Sequence, residues 1–413
     1  MSGVFVREHA RAASLYNDIV VIYVYRDPLP KTWKFFQVSK IEATEEGIRT
    51  IRVKYKGVLL YIKDWLAKKV VKPSGDGNEK PQDGSRGMFR TALKTLFRIP
   101  DMIVSDLFCY WSTFAAFRKL RKEGWKPDII HAHVFTAGVP AVLIGRLYRI
   151  PVVITEHSTA FPRHLLPLLQ RLKARFAMNR ARIILPVSDD LRRHIETYGI
   201  KNKSKIVPNT VNTEMFYPPP LQREGEKNEN TKLLLVGLLT PIKGIPYLLE
   251  ALSQIKEQRD DFSLNIVGDG VNRGEYEELT KNLGLENMVK FHGLKPKEEV
   301  AQFMRNCDFY VQPSLMETFG VTYIEVMACG KPIVTSSLPV LTEIVNEDIG
   351  ILVRPKDVKA LKEAIEYMLD NYQNYSSKKI AQYARERFSY ETVGEKLDEV
   401  YRRIESMDLQ GIK

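Results

Sequence analysis

From residue 128 onward, short apolar runs rich in β-branched residues alternate with amphipathic stretches of helical period. "DIIHAHV" (128–134), "PVVITEH" (151–157) and "RIILPVS" (182–188) have the length and composition of strands. "AGVPAVLIGRLY" (137–148), "PLLQRLKARFAMNRA" (167–181) and "DDLRRHIETYG" (189–199) have helical spacing, the last opening on Asp and closing on Gly. Strands that alternate with helices of this length read as a parallel sheet covered on both faces. The alternation breaks once, in "VPNTVNTEMFYPPPLQREGEKNENT" (207–231), where three consecutive prolines and a polar, charged run mark a linker. It then resumes with "KLLLVGL", "SLNIVG", "MVKFHG", "DFYVQPS" and "KPIVTSS" as strands, with helices starting near Ile242, Arg273, Pro296 and Phe319. The expected class is α/β with two Rossmann-like domains. The expected boundaries are 1–207, a linker over 208–231, a second domain over 232–385 and a C-terminal helical segment over 386–413 that crosses back to the first domain.

A chain of 413 residues exceeds one ordinary core, which agrees with two domains. Charge divides along the same line. Residues 1–207 carry 37 Lys and Arg against 18 Asp and Glu, and the remainder is net −7 within an overall +12. The first half therefore has either a solvated basic surface or an anionic partner: phosphate groups, a membrane or a nucleic acid. No helix-turn-helix, RNA-binding or zinc signature supports nucleic acid. Cys109, Cys307 and Cys329 are widely spaced, which argues against a disulfide framework or a zinc site and suits a reducing cytosol. No apolar run reaches the roughly 18 residues that span a bilayer. The expected place is the cytoplasm, with peripheral attachment to the inner face of the membrane as an option.

Two early segments differ from the rest. "PSGDGNEKPQDGSRG" (73–87) has the composition of a disordered loop. Residues 88–125 read as helical, with aromatics and basics interleaved. Their apolar face either packs in a core or meets a membrane or acceptor. "GVFVREHARAASLYN" (3–17) reads as a first helix and "DIVVIYVY" (18–25) as the strand after it. A parallel α/β domain ordinarily begins with a strand ahead of that helix, so the first domain is expected to lack its N-terminal strand.

Open α/β sheets bind ligands at the C-terminal ends of their strands, so the turns after the strands were read for chemistry. After "KLLLV" come Gly237 and Lys243-Gly244 at a helix start, where a lysine beside backbone N–H groups suits phosphate. Gly268 and Gly270 follow the next strand; as glycines they either form an ordinary turn or let a flat ring approach the backbone. After "DFYVQ" comes "PSLMETFGVTYIEVMACGKP". Here Glu317 precedes a helix that starts at Phe319-Gly320-Val321, and Glu325 lies inside it. Free N–H groups and the helix dipole attract an anion there, and carboxylates accept from vicinal hydroxyls. Phosphate-binding amides and a lysine between two sugar-binding carboxylates make the composition of a nucleotide-sugar site.

The ordered set "VGLLTPIKG", "GDG", "FHG", "PSLMETFG", "EVMACGKPIV" and "GILVRPKD", with "PDIIHAH", "VITEHS" and "VPNTVNTEMFYP" before it, resembles the retaining family-4 (group 1) glycosyltransferases of the GT-B architecture. The likeness runs from Gly3 to about Asp357. It implies that Glu317 contacts hydroxyls of the donor hexose and that Phe319, Gly320 and Val321 offer backbone near the sugar and diphosphate. It also implies that Glu325 takes the ribose hydroxyls, Lys243 neutralises the departing diphosphate, and His157 faces the donor sugar. Gly237, Gly268 and Gly270 fall to the donor side; Gly3, His133 and Arg163 to the acceptor side. His131 reads as a core residue, and His164, beside Arg163, as either surface or acceptor contact.

The resemblance implies no cofactor and no metal, and no DxD motif is present to hold one. The partners it implies are a nucleoside-diphosphate sugar and a hydroxyl acceptor, which could be a lipid-linked glycan, a polysaccharide or a small molecule. The chain departs from the family at Leu238, where an arginine is usual, at Asn209-Thr210-Val211-Asn212 in the linker, and after "KPIVTSS", where "LPVLTEIV" replaces a Gly-Gly and Glu343 keeps an acidic position. Other readings are a GT-B epimerase or phosphorylase, and a non-catalytic basic protein of the membrane surface.

Overall fold

The computed structural model describes residues 4–27, 39–45, 47–56, 98–219 and 230–410. Gly3, the segment 73–87, residues 88–97 and most of the charged half of the linker lie outside these. The chain divides into two compact units. One holds residues 18–130 and 139–150; the other holds 1–17, 131–138 and 151–413.

In the smaller unit, β1 (Val20–Asp27) lies parallel to β3 (Ile48–Lys56), and β2 (Ser39–Glu45) pairs antiparallel on its other side. The alternation of β1 and β3 turns one face inward. Ile51 and Val53 are buried there against Val20, Ile22 and Val24, and Ala116, Leu120 and Trp125 close over them. Ala116 and Leu120 belong to α2 (Arg98–Lys122). The helical reading of 88–125 holds over the described part. Its apolar residues divide: Phe117 and Leu120 are buried, which agrees with the core reading, whereas Ile103, Leu107 and Trp111 are exposed. Those three are four residues apart and form one stripe along the helix.

The larger unit begins with α1 (Val4–Ser14). It includes the sheet β4 (Ile130–His133), β5 (Val152–Glu156) and β6 (Ile183–Pro186), with β5 buried throughout. The helices α3 (Phe135–Tyr148), of which residues 139–148 belong to the smaller unit, α4 (Leu168–Met178) and α5 (Asp189–Thr197) follow its strands. Ser188 caps α5 by accepting from Leu191 N–H at 3.1 Å, which relieves one of the free donors of a helix start.

After the linker come β7 (Thr231–Val236), α6 (Ile245–Lys256), β8 (Phe262–Val267), α7 (Arg273–Asn282), β9 (Val289–Phe291), α8 (Lys297–Asn306), β10 (Phe309–Gln312), α9 (Val321–Ala328), β11 (Ile333–Ser336), α10 (Pro339–Thr342) and β12 (Gly350–Val353). All pairings in this six-stranded sheet are parallel, in the order β12-β11-β10-β7-β8-β9. Chain direction reverses its march between β7 and β10. A crevice opens at such a switch point, outside the carboxyl ends of the two strands. Leu233 and Leu235 of β7, Leu264 and Ile266 of β8 and Leu248, Leu249 and Leu252 of α6 are wholly or almost wholly buried in one core. Each contributes about 1.5–3 kcal/mol relative to exposure. The helices α11 (Val358–Asn371), α12 (Ser377–Phe388) and α13 (Tyr390–Gln410) complete the chain. α13 lies along α1 so closely that a Cβ on Gly394 would come within 2.3 Å of the Ala12 carbonyl.

The turn after β7 is tied to the end of β10 by one glycine. Gly244 has φ +67°, and a Cβ there would sit 2.0 Å from the carbonyl oxygen of Pro313. Gly244→Ala should therefore lose about 2–4 kcal/mol of unfolding free energy in urea. Gly274→Ala on α7, where nothing lies within 4 Å, should stay within about 1 kcal/mol of the parent.

Candidate active site

The crevice between β7 and β10 brings together what the sequence separates by more than seventy residues. Lys243 ends a short 3-10 turn, Pro241–Lys243, just beyond β7. Its ammonium meets Glu317 Oε1 at 2.6 Å, with the lysine side chain 15% and the glutamate 10% exposed. Ser314 Oγ donates to the same oxygen at 2.9 Å, and Gln312 Nε2 lies 3.2 Å from it. Gln312 is itself held. Its Oε1 accepts from the Tyr310 hydroxyl at 2.7 Å, and its Nε2 lies 3.0 Å from Ser314 Oγ and 3.1 Å from the Tyr323 hydroxyl. This buried network fixes one oxygen of Glu317 and leaves Lys243 two further N–H donors for an anion.

Gly320 precedes α9 with φ +86°, and a Cβ on it would strike the Tyr323 ring at 2.5 Å. Phe319 is buried edge-on to Phe388. Val321 opens the helix, and Glu325 lies one turn in, buried. Burial raises Glu325 to about 7, against the pull of Lys297, with Glu8 adding to the rise. Gly237 lies against Gln312 and Lys243, where a Cβ would come 3.4 Å from Gln312 Oε1. The two glycines after β8 answer to the protein's own backbone. A Cβ on Gly268 would sit 1.9 Å from Gly237 O, and one on Gly270 2.4 Å from Leu239 O.

On the first-half sheet, the strand ends carry a stack of imidazoles. His131 lies on His133 at 4.7 Å between ring centroids, and His133 on His157 at 5.3 Å, all nearly coplanar in orientation. His9 of α1 stands edge-on to His133 and His157. His157 Nδ1 lies 2.9 Å from Asn209 Oδ1, and its Nε2 lies 3.0 Å from His133 Nδ1. An amide oxygen only accepts, so the His157 proton sits on Nδ1 and Nε2 accepts from His133. His131 is bound by Tyr401 of α13 and by Thr155, each at 2.6 Å. Burial lowers all four imidazoles, those of His9, His131 and His157 to about 3, and the neighbouring rings add to the effect. Burial thus holds the rings neutral, and His131 and His157 are fixed through both nitrogens. Arg163 and His164 are exposed.

Three residues that hold the site were not read from the sequence. Glu156, at the end of β5, accepts from the backbone N–H of Phe135, His157 and Ser158 at 2.8–3.0 Å and so shapes the turn that carries His157. Burial raises it to about 7 against those three donors. A lone acid closing the apolar run "VVIT" was the available signal. Asn209 was noted only as a linker residue. Ser188 donates to the Thr318 carbonyl at 3.0 Å, which ties the start of α5 to the loop before α9. Glu343 accepts at 3.0 Å from the N–H of both Asp189 and Asp190, so its carboxylate serves the start of α5. Among the described residues, no group of His, Cys, Asp and Glu could hold a metal ion, and no helix is long and apolar enough to cross a membrane.

Comparison with known proteins follows this geometry. Residues 221–387 match the family model described as glycosyl transferases group 1, and residues 73–215 match that of glycosyltransferase family 4. An uncharacterized glycosyltransferase of Methanocaldococcus jannaschii is 31% identical over 250 residues, covering 59% of this chain and 66% of the relative. Among solved structures, sucrose-phosphate synthase from Thermosynechococcus elongatus superposes with a TM-score of 0.70 at 21% identity, covering 98% of this chain and 94% of that one. HepE of Anabaena, in complex with UDP and glucose, gives 0.59 at 22% identity, covering 82% and 88%. These similarities of structure confirm the GT-B fold.

The imidazoles and the two raised carboxyls set opposite pH trends. Each histidine is lowered on folding, so the unfolded chain binds more protons below about 6.5 and stability is lost as pH falls. Glu156 and Glu325 are raised, so their contribution is present at low pH and lost as pH rises through 7. Four groups outweigh two. Stability should fall by on the order of 2 kcal/mol per unit between pH 6.5 and 5, read as denaturation midpoints across that range.

Proposed function

Because the chain belongs to the group 1, family-4 glycosyltransferases, we propose that it moves a hexose from a nucleoside-diphosphate sugar to a hydroxyl acceptor with retention of anomeric configuration, in the synthesis of cell-envelope glycan, polysaccharide or glycolipid. The observation that carries this reading is the buried Lys243–Glu317 pair at the β7/β10 switch point, with Glu325 on the helix that follows. The matched families are of glycosyl transferases, which favours sugar transfer over the epimerase and non-catalytic readings.

The proposed mechanism assigns each group by its chemistry. The diphosphate lies along Lys243 and the first N–H groups of α9, where two lysine donors and the helix dipole face its charge. Glu325 accepts from the ribose hydroxyls. The free oxygen of Glu317 accepts from hexose hydroxyls, and His157, pinned by Asn209 and His133, meets the sugar from the first-half side. As the anomeric bond lengthens, charge builds on the diphosphate, and its stabilisation by Lys243 is the dominant contribution. The acceptor enters on the leaving-group face, and its proton passes to a phosphate oxygen. In this scheme no side chain acts as general base, and His157 stays neutral and hydrogen-bonded.

Nucleoside diphosphates of uracil, guanine and adenine, and their hexose conjugates, should be screened for thermal protection. One set should raise the melting temperature, and Glu325→Gln should reduce that shift. If no nucleotide protects, the reading is lost. With the donor identified, Lys243→Ala should lower kcat by about 100-fold or more.

A membrane-borne acceptor has one observation in its favour: the exposed stripe Ile103, Leu107 and Trp111 on α2, in the basic half of the chain. Co-sedimentation should show binding to vesicles with 30% anionic lipid, weakened by Trp111→Glu and by raised salt, each nearby basic residue being worth about 1 kcal/mol. Equal partition onto neutral vesicles would remove the charge-based reading.

A further inference from the structure

The carboxylate assigned to the ribose is not alone. Lys297, the first residue of α8, places its ammonium 3.2 Å from Glu8 Oε1 and 3.5 Å from Glu325 Oε1. The same ammonium lies 5.4 Å from the centre of the Phe216 ring in the linker. Two of the three N–H donors of the lysine face carboxylates, and the aromatic face lies within cation–π range. What it can do is divide one positive charge between two buried acids.

The division is unequal. Glu8, on α1, lies nearer the ammonium, is also bonded by the Tyr390 hydroxyl of α13, and is paired with Arg7 at 3.5 Å and with Arg11 at 3.8 Å. Burial, which by itself would raise Glu8, is outweighed by Lys297, Tyr390 and Arg11, and the group ends below its ordinary range. Glu325 has the more distant share of Lys297. The other groups near it are Glu8 across the lysine and Cys329 one turn along α9, whose thiol burial keeps protonated. None of these adds a second cation within pairing distance.

Resting on the donor site described above, we propose that Lys297 is a positioning residue for Glu325, and that Glu8 governs it: by competing for the one ammonium, the first helix sets how strongly the ribose carboxylate accepts hydroxyls. A carboxylate that keeps its charge accepts two hydroxyl hydrogen bonds at once; a protonated one must donate and fits a vicinal diol poorly. Removing Lys297 weakens Glu325 as an acceptor. Removing the charge of Glu8 frees the ammonium to close on Glu325 and strengthens it. The two changes act in opposite directions although neither residue is assigned to the ligand.

Two measurements test this. In the ligand-free protein, the carboxyl titration of Glu325 is followed by ¹³C NMR with Glu325→Gln as the assignment control. Lys297→Met should raise the midpoint by roughly one pH unit and Glu8→Gln should lower it, with Lys297→Arg close to the parent. In the second, calorimetry with UDP, GDP or ADP, whichever binds, follows Kd from pH 6 to 8. At pH 6.5 Lys297→Met should weaken binding about tenfold and Glu8→Gln should tighten it.

A merely structural role for Lys297 would lower stability in both variants and leave the midpoints in place; that result, or shifts in the same direction, overturns the proposal. Should Lys297→Met fail to fold, the downward shift in Glu8→Gln still decides. Opposite shifts in the ligand-free protein with no nucleotide bound would uphold the pairing and overturn the assignment of the site instead.

Discussion

The parallel pairing of β7 with β10 is the constraint on which the site depends. Phe309 lies opposite Leu233 and Tyr310 opposite Leu234, so two strands distant in sequence end side by side at the centre of the sheet. Everything that follows each strand is then delivered to one crevice. Lys243 comes from the turn after β7, and Glu317 and α9 come from the segment after β10. Gly244 against Pro313 shows how little space separates the two turns. With a bulkier residue there, Lys243 and Glu317 could not hold their 2.6 Å contact.

The polar groups behind this crevice are arranged to hold rather than to react. Gln312 is buried yet binds Tyr310, Ser314 and Glu317, and an unsatisfied amide in its place would cost about 1–3 kcal/mol. Glu156 does the same for the turn of His157 through three backbone N–H groups. The four histidines have lost their ordinary basicity to burial, and His131 and His157 are bound at both nitrogens.

Much of this was legible in the chain. The alternation from residue 128, the Pro-rich break at 218–220 and the turn residues after each strand predict the second sheet and its helices closely: helices expected near Arg273 and Pro296 begin at Arg273 and Lys297. Glu317, Phe319, Gly320 and Glu325 were legible because strand end, loop and helix start are contiguous in sequence. Gly268 and Gly270 were legible as special positions, but the reason was not. A glycine can make room for a ligand or for another loop, and only the neighbouring turn, with Gly237 O and Leu239 O in the way, distinguishes them.

The sequence by itself determined the class of fold, the alternation of strands and helices from residue 128 onward and the candidate site residues that lie within one stretch, because hydrophobic period and capping residues act over a few positions; that the strands before residue 128 form a separate sheet of their own was not legible. Tertiary structure alone decided the partnerships. Asn209 with His157, Ser188 with the Thr318 carbonyl, Glu343 with the start of α5, and Lys297 with Glu8 and Glu325 join residues 28 to 289 positions apart. No local pattern encodes such pairs. They form because a buried charge or amide must find a partner once the sheets and helices have closed around it.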